Sequence, residues 1–223
     1  MFRQSAKLAL ASSLVALAAG TAVAAADVTI SPGAGDVFSA PQYTMGAGER
    51  ATFANSAGVS HNVTAKRRGP DGRPLFRSRT ISSGTTPVDG AQYLGPGVYD
   101  FQCTIHAGME SKLEVSGGTP VARPDVEVSV PAQSLASVRR SGKLKLRVRA
   151  LTESDNIALL ARKGARGLGF KGGIDLGAGT VRIVKLTLKR SGRKALAGVK
   201  SASVSVRATV PFGSPDLASR RLR

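Results

Sequence analysis

Cysteine and histidine are nearly missing from this 223-residue chain, which has one of the first and two of the second. A single cysteine excludes an internal disulfide, so an exported protein must use this thiol in some other way. Two histidines leave almost no imidazole for acid–base or serine-hydrolase chemistry. Aromatics are sparse too, and residues 120–223 hold only Phe170 and Phe212, too few for a base-stacking platform. After the first 26 residues no apolar run approaches a membrane span of about 20 residues. Acidic residues are scarce in one half only. Residues 27–119 carry eight basic and eight acidic side chains, whereas residues 120–223 carry 22 and six, so a net +16 of the total +18 sits in the second half.

The first 26 residues read as a secretory signal. Arg3 and Lys7 give a positive start, and Leu8 to Leu17 is an apolar stretch too short to span a bilayer. Ala22-Val23-Ala24 or Ala24-Ala25-Ala26 offers a small-residue cleavage site. No Arg-Arg pair indicates a twin-arginine route, and no cysteine near the cleavage site offers a lipid anchor. The expected location is therefore extracytoplasmic, in the periplasm or cell wall or secreted. The charge step and the linker composition of Ser116 to Pro124 divide the rest into a domain at 27–116, a linker at 117–124 and a basic domain at 125–223.

What chemistry there is concentrates in one stretch. Val98 to Met109 holds the only cysteine, one histidine and one of three methionines, and the other histidine, His61, lies upstream. Any one of these residues alone reads as core packing. Together, His61, Cys103, His106 and Met109 supply two imidazoles, a thiolate and a thioether, the donor set of a blue-copper site with a weak axial Met. Such a mixed set accepts both Cu(I), which favours soft sulfur, and Cu(II), which favours nitrogen. Phe101 and Cys103 read as a strand end, residues 104–108 as a tight loop, and Ser111 to Val115 as the next strand. Three ligands thus come from one loop.

The stretch Gly97-Val98-Tyr99-Asp100-Phe101-Gln102-Cys103 resembles the Gly-x-Tyr-x-Phe-x-Cys strand of the plastocyanin and amicyanin family of cupredoxins. Cys103-x2-His106-x2-Met109 is similar to the short amicyanin loop, His61-Asn62-Val63 to the first His ligand with its Asn neighbour, and Thr52-Phe53-Ala54-Asn55 to the strand before it. Ile105 departs from the family, which often has Pro before the second His. The resemblance covers about residues 27–116 and implies a Greek-key β-sandwich with one type 1 copper per chain. It implies that Asn62, with Thr104 on the facing loop, ties the ligand segments together by hydrogen bonds. It also implies that His106, flanked by Ile105 and Ala107, is the port through which electrons pass to redox protein partners.

The chain is read as all-β throughout. In the first domain, strands are expected at Asp27 to Ile30, Arg50 to Asn55, His61 to Ala65, Leu75 to Ile81, Gly97 to Cys103 and Ser111 to Val115. Met45 is expected in the core, and Arg67 to Pro74 as a solvated connection. Asn62-Val63-Thr64 matches a glycosylation sequon, read as accidental because Asn62 abuts a ligand. In the second domain Lys143 to Arg149 alternates strictly, with Leu144, Leu146 and Val148 inward and Lys143, Lys145, Arg147 and Arg149 outward. Val181 to Leu188 and Ala202 to Thr209 repeat this less perfectly, Lys189 to Leu196 suggests a helical turn, and Ser214 to Arg223 an edge strand or a frayed tail. This suggests a small immunoglobulin-like sandwich, similar to basic accessory domains of secreted actinobacterial proteins. Lys143, Lys145, Arg147 and Arg149 are its candidate contacts to an anionic wall polymer or membrane surface, with no nucleic-acid partner. The expected function is one-electron transfer without enzymatic activity. The alternative is a copper storage, delivery or surface-attached module that does not cycle electrons.

Overall fold

A computed structural model describes residues 28–223. The expected signal segment lies outside the described residues. The described chain builds two β-structures, each around its own apolar core.

The first contains β1 (Val28–Ile30), β2 (Gln42–Ala47), β3 (Ala51–Asn55), β4 (Thr64–Ala65), β5 (Arg77–Ser78), β6 (Gly84–Asp89), β7 (Gly97–Gln102) and β8 (Glu110–Gly118). They join in the order β1-β3-β6-β5-β4-β7-β8-β2. Short strands separated by turns let this sheet fold over a core. Phe101, fully buried on β7, sits at its centre. Phe38 meets its ring edge-on at 4.8 Å, with Phe76 and Tyr43 both at 6.1 Å. β7 and β8 are antiparallel neighbours joined by the loop that carries Cys103, His106 and Met109. β8 then leads away from that loop to Gly118, next to the second domain. Gly117 and Gly118, expected in the linker, belong to this strand, and Gly118 pairs with Ala47 of β2.

The second contains β9 (Val126–Ser129), α1 (Leu135–Ser141), β10 (Lys143–Ala150), β11 (Ser154–Lys163), β12 (Arg166–Leu176), β13 (Val181–Thr187), α2 (Arg190–Leu196), β14 (Ala202–Thr209) and β15 (Asp216–Leu222). Sheets β13-β10-β9 and β12-β11-β14-β15 face each other. On β10 the alternation is complete: Leu144, Leu146, Val148 and Ala150 are fully buried and the four basic residues between them are exposed. The tail is an ordered edge strand. Ser134 caps α1 by accepting from the Ser137 N–H, and Gly142 ends it at φ 63°.

The two structures meet at Phe212, which adopts φ 64°. Its N–H donates to Asp71 Oδ2 at 3.0 Å, and its carbonyl accepts from Arg123, which also donates to the Tyr93 carbonyl. The Arg77 guanidinium lies 4.7 Å over its ring, and Tyr93 packs beside it at 5.9 Å. Residues 67–74, expected to be a solvated connection, therefore supply a contact between domains through Asp71.

Candidate metal centre

His61 enters the site from a short bridge rather than a long strand. Its N–H and carbonyl exchange hydrogen bonds with Ile81 at 3.0 and 3.1 Å. Asn55 braces the preceding turn by donating to the carbonyls of Val59 and Ile81. Cys103 follows β7, and its N–H donates to the Met109 carbonyl at 3.0 Å, closing the loop into a tight ring. Gly108 turns that loop at φ 80°, a conformation that side chains with a Cβ rarely adopt.

Three donor atoms converge. His61 Nδ1 lies 3.0 Å from His106 Nδ1, and Cys103 Sγ lies 4.0 and 3.6 Å from those two nitrogens. The point equidistant from all three is about 2.1 Å from each, close to metal bonds of about 2.0–2.1 Å to imidazole and about 2.3 Å to thiolate. The triangle is the size of a metal ion. His61 and Cys103 are buried and His106 is partly exposed. Met109 is fully buried and lines one cleft with Cys103 and His106.

Burial, then the charge of His106, holds the His61 imidazolium below its ordinary value of 6.5, with Asp36 opposing. The neutral ring is the form that binds a metal. His61 Nε2 is buried without a hydrogen-bond partner among the described residues, so this ring is served only through Nδ1.

Asn62 accepts from the Thr104 N–H at 3.0 Å and donates to the Thr104 hydroxyl at 2.9 Å, joining the His61 segment directly to the residue after Cys103. It also donates to Thr80 and accepts from Thr64. Val63 N–H donates to Ser78 Oγ. Ile105 is half exposed and Ala107 exposed, on either side of His106. Sequence reasoning placed Asn55 in the motif before the first histidine but not its bracing bonds, and it missed Ser78, Thr80 and Asp36. Those three belong to no local motif, and each reaches the site only through folding. Asp36 lies 3.7 Å from His106 Nε2, on the ring's outer edge. Lys143, Lys145, Arg147 and Arg149 are far along the chain in the other domain, all exposed on one face.

Comparisons with solved structures cover part of the chain. One solved neighbour is the oxidized state of an amicyanin mutant, at 19% identity and TM-score 0.35, covering 40% of this chain and 82% of that one. Another is a Cu(I) form of a different amicyanin mutant, at 18% identity and TM-score 0.34, with the same coverage. A third is a purple cupredoxin from Nitrosopumilus maritimus, at 22% identity and TM-score 0.34, covering 40% of this chain and all of that one. No protein-family profile and no curated protein matches. On its own geometry, the first domain is a β-structure whose His61, Cys103 and His106 form a cluster able to hold a metal ion, with the Met109 thioether buried beside the same cleft, a donor set that fits copper.

Proposed function

We propose that this chain is an extracytoplasmic one-electron carrier that uses one copper ion. The observation that carries the reading is the metal-sized triangle of two imidazole nitrogens and one cysteine sulfur. A bound copper would supply the Cu(I)/Cu(II) couple. The chain's residues do the rest. His61 and Cys103 hold two donors in a dry interior, and Asn62 locks their segments together, so the donors move little between oxidation states. His106 carries its donor nitrogen inward and its opposite edge outward between Ile105 and Ala107, which makes it the port to redox protein partners. Both histidines of the chain serve this cluster, and none remains for acid–base catalysis. The export signal read at residues 1–26 supports the extracytoplasmic placement.

The test is the visible spectrum of the mature protein after one equivalent of Cu(II), beside Cys103→Ser. An intense thiolate-to-copper band, absent in the variant and bleached reversibly by ascorbate, is the expected result. A band that forms but does not cycle would favour storage or delivery. No band would overturn the site.

A further inference from the structure

The positive charge of the second domain is not spread over it. β10 and β13 run antiparallel, so Lys143 and Thr187 share one end and Arg149 and Val181 the other. The second end adjoins the seam, since Val126 pairs with Ala150, and Leu151 N–H donates to the Asp125 carbonyl. The first end collects both helices, the β11–β12 hairpin and the chain terminus. Arg139 on α1 donates to the Leu196 carbonyl on α2, and Leu135 N–H donates to the Arg223 carbonyl. Residues 130–145, 161–169, 184–204 and 219–223 build this far pole, and they contain 16 basic residues and not one acidic residue. The rest of 125–223 contains five basic and six acidic residues. A charge that served only solubility would have no reason to segregate, and crowding like charges costs stability.

Within the pole one cleft is built for an anion. It is lined by Gln133, Ser137, Ser141, Lys143, Lys145 and Lys185, with no carboxylate. Lys145 and Lys185 stand directly opposite each other across paired strands, an arrangement unfavourable unless an anion lies between them. Gln133 is fixed by two hydrogen bonds to the Lys145 backbone. The serine hydroxyls add neutral donors beside the ammonium groups. None of the three ion pairs found among the described residues lies in the pole. Arg149 at the seam end, by contrast, is paired with Glu127 at 3.5 Å. Of the four basic residues singled out on β10, Lys143 and Lys145 belong to the pole, and Arg147 and Arg149 lie toward the seam.

We infer that the far pole is a docking end for a linear phosphate polymer without bases, with the Lys143, Lys145 and Lys185 cleft holding one phosphate. The surface chemistry selects this partner. Of the exposed large apolar residues of the domain, Leu151, Val181 and Leu217 lie toward the seam, and Phe170 and Ile183 stand singly at the border of the pole, too little for a bilayer wedge. Phe170 at its border is a single exposed aromatic, too few for a stacking platform.

The experiment measures binding of the whole chain from residue 27 to long-chain inorganic polyphosphate across a salt series. Two triple variants remove the same charge from exposed sites: Lys143→Gln with Lys145→Gln and Lys185→Gln at the pole, and Lys171→Gln with Arg182→Gln and Arg207→Gln outside it. The pole triple should reduce the slope of log K against log salt by about 2 and weaken binding about a hundredfold near 0.1 M salt, at roughly 0.7 of slope per phosphate contact. The matched triple should change binding less than about threefold, and replacing the three pole lysines by arginine should preserve it. Equal losses from both triples would reduce the pole to net charge and overturn the inference. Tighter binding to phosphatidylglycerol vesicles would transfer the pole to a membrane. Tighter binding to single-stranded DNA at matched phosphate would show that bases are read and overturn the selection against them.

Discussion

The two domains place their polar groups in opposite ways. The first, with no net charge, buries Asn55, His61, Asn62, Thr86 and Ser111, while the second, with its large positive charge, buries only Ser154 among polar residues. Burying a polar group is unfavourable unless its hydrogen bonds are made inside. The first domain accepts that cost around His61 because donors must be held out of water to act on a metal. The second keeps an unbroken aliphatic core and puts its polar groups outside, with the positive charge gathered at one end. One domain is organised from the inside outward, the other from a plain scaffold that presents a surface.

The sharpest way to break this comparison is through the cores. Leu146→Ala removes a fully buried side chain from the second domain and should destabilise that domain by about 2–5 kcal/mol. The copper band should persist while the domain's calorimetric transition falls. A band lost together with that transition would show that the domains are not separate in function. Asn62→Ala acts on the other side. It removes the partner of the Thr104 N–H at the loop's edge and should destabilise the first domain by about 1 kcal/mol. Copper affinity, read by competition with a chelator, should fall about 10–100-fold, as losses of ligand-orienting groups do. Phe212→Ala should cost about 1 kcal/mol through the lost Arg77 and Tyr93 contacts. It should also separate the calorimetric transitions of the two domains.

The smallest effect is on pH. His61 is held below 6.5 in the folded protein by burial and then by His106, so below 6.5 the unfolded chain binds more protons there. The metal-free protein therefore keeps this contribution above pH 6.5 and loses it as pH falls toward the folded value. Denaturant midpoints of metal-free wild type and His61→Gln, compared at pH 7.5 and 5.5, isolate it. A midpoint difference between the two proteins that does not change with pH would contradict the burial argument.

The metal loop was legible because its chemistry is local: Cys103, His106 and Met109 lie within seven residues, and few other residues of their kind exist. The strict alternation of β10 was legible for the same reason. β6 was not, because Gly84 and Pro87 break a run whose Thr85, Thr86 and Val88 would otherwise favour a strand, although Pro87 pairs with Thr52. β12 was missed because Gly167, Gly169, Gly172 and Gly173 read as a loop. Gly169 lacks a side chain because Leu186 and the Thr187 carbonyl occupy the space one would fill. β2 hides behind Gly46 even though Tyr43, Met45 and Ala47 alternate inward, with Met45 buried in the core as expected. α1 did carry readable signals in Ser134 and Gly142, with Leu135 and Val138 three apart, but it is too short to display a full helical period. Charge segregation in the second domain was invisible before pairing was known, since the 16 cations of the pole come from four separated segments.

β8 sets a distance as well as a pairing. Its residue Glu110 follows the metal loop and Gly118 leads to the second domain, and nine residues at about 3.3 Å each extend about 30 Å. A molecule held by its far pole would carry the metal loop outward on this reach. Encounters would then depend less on bulk concentration than on which partners share the same shell around the polymer, where proximity sets the effective concentration. A partner moored to that polymer would meet His106 repeatedly, while a freely diffusing one would gain nothing from the mooring.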